Sequence, residues 1–316
     1  MQMAEKSLLL PKKGRKWSAF KRHIPYYLLI LPGLIWFIIF RYLPMYGVSF
    51  AFKDVAPFEP VQDMLKAPSV GFRHFKTFIN SYYFKILMKN TLEISLLRLA
   101  FGFPLPLIFA LMLNELRNVR YKKVVQTISY LPHFISWVVV AGLVTMMVTT
   151  DGGVINNILK AMGRKEIYFL GDVRYFRSVL IISGIWKELG WNTIIYLAAI
   201  TGIDTQLYEA AIVDGCGRFR RAIHITLPGI ANIIIILLIF SIGGLLNAGF
   251  EQIMLLYSPP VYDVADIIDT YVYRKGIIEM NYSFSTAVGL FKSAIAMVLI
   301  VLANVTAKLF GREGLW

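Results

Sequence analysis

Two stretches of this chain, residues 124–150 and 225–250, contain no Asp, Glu, Lys or Arg at all. A helix needs about 20 mostly apolar residues to cross a hydrocarbon core of roughly 30 Å. Both runs meet that length. Four more segments approach it, at 24–48, 87–113, 177–201 and 283–307, the last three interrupted by Glu93 and Arg98, by Lys187 and Glu188, and by Lys292. With 124–149 and 228–250 they make six predicted transmembrane helices. Composition agrees: 57% of the 316 residues are hydrophobic and 16% charged, with mean hydropathy +0.60. These values describe an all-α polytopic membrane protein, whose solvent is largely lipid.

A basic stretch precedes the first segment, which raises the possibility of a cleaved signal peptide. Residues 24–40 are longer than a usual signal core, however, and no small-x-small cleavage site follows, so a signal-anchor helix fits better. Basic residues set the orientation. Lys6, Lys12, Lys13, Arg15, Lys16, Lys21 and Arg22 in the tail 1–23, and Arg117, Arg120, Lys122 and Lys123 after the second span, place both regions in the cytoplasm. Six crossings return the carboxyl end, 309–316, to the same side. Segments 52–86, 150–176 and 251–282 then face outward. The last of these carries Glu251, Asp263, Asp266, Asp269 and Glu279 against Arg274 and Lys275.

Between the fourth and fifth spans lies a mostly polar interruption, residues 202–228, on the cytoplasmic side by this topology. Glu209, Ala210 and Ala211 read as the opening of a helix, with the carboxylate in its first turn facing the positive end of the helix dipole. Gly215 and Gly217 supply backbone freedom for a hinge, and Pro228, lacking an amide hydrogen, marks a boundary before the next apolar run. Arg218, Arg220 and Arg221 offer cationic groups to a cytoplasmic partner or to anionic lipid. An ordinary amphipathic loop accounts for the arginines but not for the joint spacing of Glu-Ala-Ala, Gly215, Ile225 and Leu227-Pro228.

That spacing resembles, without a gap, the "EAA" loop of binding-protein-dependent ABC importer permeases; Cys216 departs from the family's usual alanine. The resemblance implies a type I importer (MetI-like) transmembrane domain, with a core over 87–308 preceded by the first helix and outward segment at 24–86. It also implies a second permease chain of similar fold, two ABC ATPase subunits and an extracytoplasmic solute-binding protein, in a bacterial inner membrane. Glu209, Ala210, Ala211, Asp214, Gly215, Arg218, Leu227 and Pro228 are then the ATPase-coupling residues. Closure of the nucleotide dimer would drag this loop and rock the attached helices. Three phrases, residues 40–54, Tyr-Leu-Pro-His-Phe-Ile-Ser at 130–136 and Gly-Ile-Trp-Lys-Glu-Leu-Gly-Trp-Asn at 184–192, look like the LplB-like branch, which serves complex oligosaccharides such as alginate or rhamnogalacturonan fragments.

Other classes fit less well. The net charge of +14 sits largely in the tail and cytoplasmic turns, and no basic, aromatic-interleaved domain for nucleic acid is present. One cysteine makes no intramolecular disulfide. The sequence has no His or Cys pairs at zinc spacing, no GxxxxGK[ST] phosphate loop and no assembled catalytic triad. His23, His74, His133 and His224 are scattered. If ATP and Mg drive transport, their site belongs to another subunit, and this chain carries no cofactor and no metal. A secondary transporter or channel for a small polar solute is the alternative, distinguished by internal repeats, which are not visible here.

Polar residues inside apolar spans are costly and face a cavity or one another. Lys187, Glu188, Trp191, Asn192 and Tyr196 gather donors, acceptors and flat apolar faces on one part of the fourth span, a mixture that suits sugars; Asn247 and Lys292 join them as candidate path residues. Lys187 or Lys292 can answer a uronate carboxylate. Glu93 and Arg98 read as packing charges, and Asn90 and His133 as further polar positions. Residues 70–84, with aromatics at helical intervals, are expected along the membrane surface, with docking of the solute-binding protein as the other reading.

Overall fold

The computed structural model describes residues 14–309, 311, 314 and 315, most of which are helical. Among the described residues the extended structure amounts to one isolated antiparallel bridge, Lys53 to Ser69. The first helix, α1 (Gly14–Phe37), continues through a π-helical turn (Ile38–Tyr42) and a 3-10 stretch (Leu43–Phe52). Its portion His23–Phe52 is long and apolar enough to cross a membrane, and none of its apolar core is buried within this chain. Lys6, Lys12 and Lys13 of the basic tail lie outside the described residues, while α1 begins at Gly14, inside the stretch read as tail.

Short helices α2 (Val61–Lys66) and α3 (Arg73–Ile79) lead to α4 (Tyr82–Gly102) and α5 (Pro104–Asn114), which together form one apolar span of 33 residues. The stretch expected to lie along the membrane surface turns one side inward, with His74 and Phe78 buried, and leaves Phe72, Ile79, Tyr82 and Tyr83 exposed. Phe78, 1% exposed, sits among Phe84, Tyr271, Phe284 and Phe291, with ring centroids 5.2–6.3 Å away. Its aromatic interval reflects an internal cluster that also holds Leu87, Ile268 and Val288.

Both charge-free runs turn out to be broken. The first comprises α6 (Val119–Tyr130), a 3-10 turn (Leu131–Phe134) and α7 (Trp137–Val148), with 103° between the two arms. Pro132 has no amide hydrogen to continue the helix, Ile135 and Ser136 are extended, and the Ser136 hydroxyl accepts from Val139 N at 3.4 Å to start α7. After α8 (Val154–Ala161) comes α9 (Phe176–Thr201), then the loop helices α10 (Thr205–Val213), α11 (Arg218–Arg221) and α12 (Leu227–Gly229). The second run bends by 67° where it meets α13 (Ala231–Gly243). It breaks again at Ala248 and Gly249, both left-handed, before α14 (Phe250–Leu256). Helices α15 (Tyr262–Ala265), α16 (Ile268–Tyr273) and α17 (Tyr282–Leu309) complete the chain.

By length and apolarity, three helices can cross a membrane, or up to five if each bent pair is one span. The expected count of six is therefore not reproduced by that criterion. The missing one is α9, long enough at 26 residues and placed where the fourth span was predicted, but made polar by Arg177, Lys187, Glu188 and Asn192. Non-helical backbone at membrane depth is tolerated where protein or a cavity surrounds it. The broken segments meet that condition, packing on α9 through Ala141, Leu180, Ala248 and Ile253 on one side and Ala110, Leu197 and Ile230 on the other.

Candidate coupling loop and transport cavity

The loop after α9 is built as two short helices. Asp204 caps α10, its Oδ1 accepting from Gln206 N at 2.9 Å. Glu209 therefore stands in the second turn of that helix rather than its first, which corrects the dipole reading, because Thr205 to Tyr208 form the turn before it. Ala210 and Ala211 follow on the same helix, and Asp214 lies just past its end. Gly215 adopts φ +75°, and the helix closes with Gly215 N donating to Ile212 O at 3.0 Å and Cys216 N to Ala211 O at 2.8 Å. Left-handed glycine is a common way to end a helix without exposing its last carbonyls.

Two contacts tie the halves of the loop to the body. The Tyr208 and Thr226 hydroxyls meet at 2.9 Å, joining α10 to the π-helical turn Ala222–Thr226. Arg218 Nε and Arg221 Nη2 approach Glu115 Oε2, just beyond α5, at 3.8 and 3.6 Å. Arg218 thus faces this chain's own carboxylate. Leu227 and Pro228 form α12, against the 67° bend. Around the loop, Leu207, Ile212, Val213 and Phe219 are exposed, Val213 by 87%.

Above the loop, a cavity of about 490 Å³ opens between α4, α5, α9, α13 and the turn before α14. Glu188, Asn192, Tyr196 and Asn247 line it, as do Ser95, Arg98 and Ser241. Lys187, Trp191 and Lys292 stand outside its wall. Lys187 is 5% exposed, and its Nζ donates to the carbonyls of Pro132, His133 and Ile135 at 3.4, 2.7 and 2.8 Å, oxygens at the corner where α6 breaks from α7. Trp191 stacks on the His133 ring at 4.3 Å between centroids. The other ring edge, His133 Nδ1, meets Glu188 Oε2 at 2.8 Å. Lys292 bridges Asp269 at 2.6 Å and Asn247 Oδ1 at 2.9 Å, fastening α17 to α16 and to the turn beside the cavity.

Glu93 and Arg98, grouped together as packing charges, have different surroundings. Glu93 pairs with Arg177, whose Nη2 also donates to Asn90 Oδ1 at 2.8 Å. Arg98 Nη2 donates to Gln252 Oε1, and Gln252 is itself held by Leu180 O at 3.0 Å and Ser183 Oγ at 2.7 Å. Arg98 makes no ion pair among the described residues, and its Nε is buried without a hydrogen-bond partner. A sign of this was present in the sequence: Glu93 precedes Arg98 by five residues, about 140° around a helix of 3.6 residues per turn, and no acid stands three or four residues to either side. Gly249, at φ +79°, lies so close that a Cβ there would collide with the Arg98 guanidinium.

In the segment 251–282, Asp266 is buried and pairs with Arg274 at 2.5 Å. Burial alone disfavours the charged guanidinium, but the hydrogen bonds and negative charge of Asp266 outweigh it, so Arg274 holds its proton more firmly than usual.

Residues 102–313 match the family model described as binding-protein-dependent transport system inner membrane component, which spans more than half of the chain. The chain belongs to this family. It is similar, at 49% identity over 98% of its own length and 96% of the relative, to protein LplB of Bacillus subtilis (strain 168). It is 48% identical, over 92% of this chain and 89% of the relative, to the polygalacturonan/rhamnogalacturonan transport system permease protein YteP of the same organism. A chain in the crystal structure of a bacterial ABC transporter involved in the import of the acidic polysaccharide alginate superposes with TM-score 0.85 at 45% identity, covering 93% of this chain and 98% of that one. Membership makes this family member a membrane-embedded transport component rather than an enzyme, and the type I permease reading of its fold stands.

Proposed function

We propose that this chain is the permease subunit of an ATP-driven importer that carries an oligosaccharide or polysaccharide fragment, uronate-containing species included, from a solute-binding protein into the cytoplasm by alternating access. The observation that carries the reading is the near full-length similarity to the polygalacturonan/rhamnogalacturonan permease. A structure of the similar alginate transporter in complex with alginate pentasaccharide-bound periplasmic protein supports the delivery step. The partners are a second permease, two ABC ATPases that bind ATP and Mg, and the binding protein. Both termini and the 202–228 loop face the cytoplasm, and the chain divides into the tail 1–23, the first helix with its outward segment at 24–86, the core 87–308 and the end 309–316.

In this reading α10 docks on an ATPase subunit through Glu209, Ala210, Ala211 and the exposed apolar residues beside them. Gly215 turns the chain back, and Arg218 with Glu115 passes the displacement to α5. Leu227 and Pro228 carry it into α13. Sugar moves past Glu188, Asn192, Tyr196 and Asn247, whose mixture of acceptors, donors and an aromatic face suits hydroxyls and C–H faces. Lys187 and Lys292 hold the walls in place. The test is purification followed by reconstitution: the chain is expected to bring down an ATPase and a second permease, and uptake is expected to require both ATP and the binding protein. Uptake by the purified chain alone under an ion gradient overturns the proposal.

A further inference from the structure

We propose that Arg98 is the specificity-determining residue of the cavity, the cation that receives a uronate carboxylate in transit; this rests on the importer reading above. Two charged side chains, Arg98 and Glu188, line the cavity among the described residues. The other cations considered for the role are occupied. Lys187 is held by three carbonyl oxygens and Lys292 by both oxygens of Asp269. Glu188, across the wall, is engaged with His133 at 2.8 Å and with Lys187 at 3.8 Å.

Arg98 alone keeps unused capacity. Its partner Gln252 is neutral, no carboxylate pairs with it, and its Nε has no acceptor. Glu188 acts on Arg98 only at longer range, without a contact pair, and a cation withdrawn from water without a bound carboxylate is costly, a cost that falls when one arrives. Guanidinium offers a planar fork that matches a carboxylate with two parallel hydrogen bonds. Gly184 and Gly249 leave the space in which the group sits, the first with Arg98 Nη1 at 3.6 Å from where a Cβ would be. Gln252, fixed by Leu180 and Ser183, aims the fork and releases little when a stronger acceptor replaces it.

The experiment uses the complete importer in proteoliposomes and two probes of the same sugar backbone that differ at the carboxyl groups, trigalacturonate and its methyl ester. Uptake is expressed relative to wild type with the same binding protein, so selection by that protein cancels. Arg98→Gln is expected to lower trigalacturonate uptake at least ten-fold while the ester stays within two-fold. Arg98→Lys, which keeps the charge and loses the fork, is expected to lower the acid-to-ester ratio about three-fold, and it gives a reading even where the glutamine variant does not assemble. An unchanged ratio in the variant that assembles, or an equal fall with both probes, overturns the assignment of Arg98. Wild-type importer that moves neither probe overturns the uronate part of the importer reading, and this inference with it.

Discussion

Lys187 Nζ donates to the main-chain oxygen of His133 at 2.7 Å, joining α9 to the corner where α6 and α7 part at 103°. A proline-broken helix leaves carbonyls without donors, and in this chain a buried ammonium supplies them. Lys187, one of the candidate path residues read from the sequence, serves here as a structural tie.

Lys187→Met is accordingly expected to destabilise the protein, since charged hydrogen bonds contribute about 1.5–3 kcal/mol each and the oxygens of His133 and Ile135 lose this donor, while Pro132 O keeps Ile135 N. Thermal unfolding in detergent, followed by tryptophan fluorescence, measures it. A midpoint equal to wild type refutes the tie.

Gly215→Val asks a β-branched residue to hold φ +75°. No neighbour crowds the site, so the penalty is conformational, about 1–2 kcal/mol. Binding-protein-stimulated ATPase activity and uptake are expected to separate in this variant, hydrolysis continuing while uptake drops. Gly215→Asn, which tolerates left-handed backbone, is expected to retain most uptake.

Asp266→Ala leaves the Arg274 guanidinium half-buried without its carboxylate, at a cost of roughly 3–5 kcal/mol. Adding Arg274→Met removes the stranded charge. Unfolding midpoints are therefore expected to rise from the single to the double variant, and a double variant less stable than the single contradicts the pairing.

Phe78→Ala empties the centre of an aromatic cluster that joins α3 to α16 and α17, and large core truncations of this kind cost about 3–5 kcal/mol. A loss below 1 kcal/mol, the scale of exposed positions, contradicts the burial of Phe78 in that cluster.

The outline was legible because lipid leaves few options. Spans at 177–201 and 283–307 coincide with α9 and α17 within a residue or two. The two helices around Gly215 were legible too, since Gly and Pro punctuate the chain. The breaks in 124–150 and 225–250 were not. Absence of charge reports what surrounds a segment, not whether its axis is straight, and Pro132 and Gly249 act only through neighbours such as Lys187 and Arg98. The cavity's members were half legible: Glu188 and Asn192 could be placed on one helix, whereas the release of Lys187 and Lys292 from the wall depends on oxygens far away in sequence.

The crowding of Gly249 against the Arg98 guanidinium yokes two distant positions. Any side chain introduced at 249 has to push the guanidinium aside as well as hold a left-handed backbone, so a change at this turn is felt at residue 98.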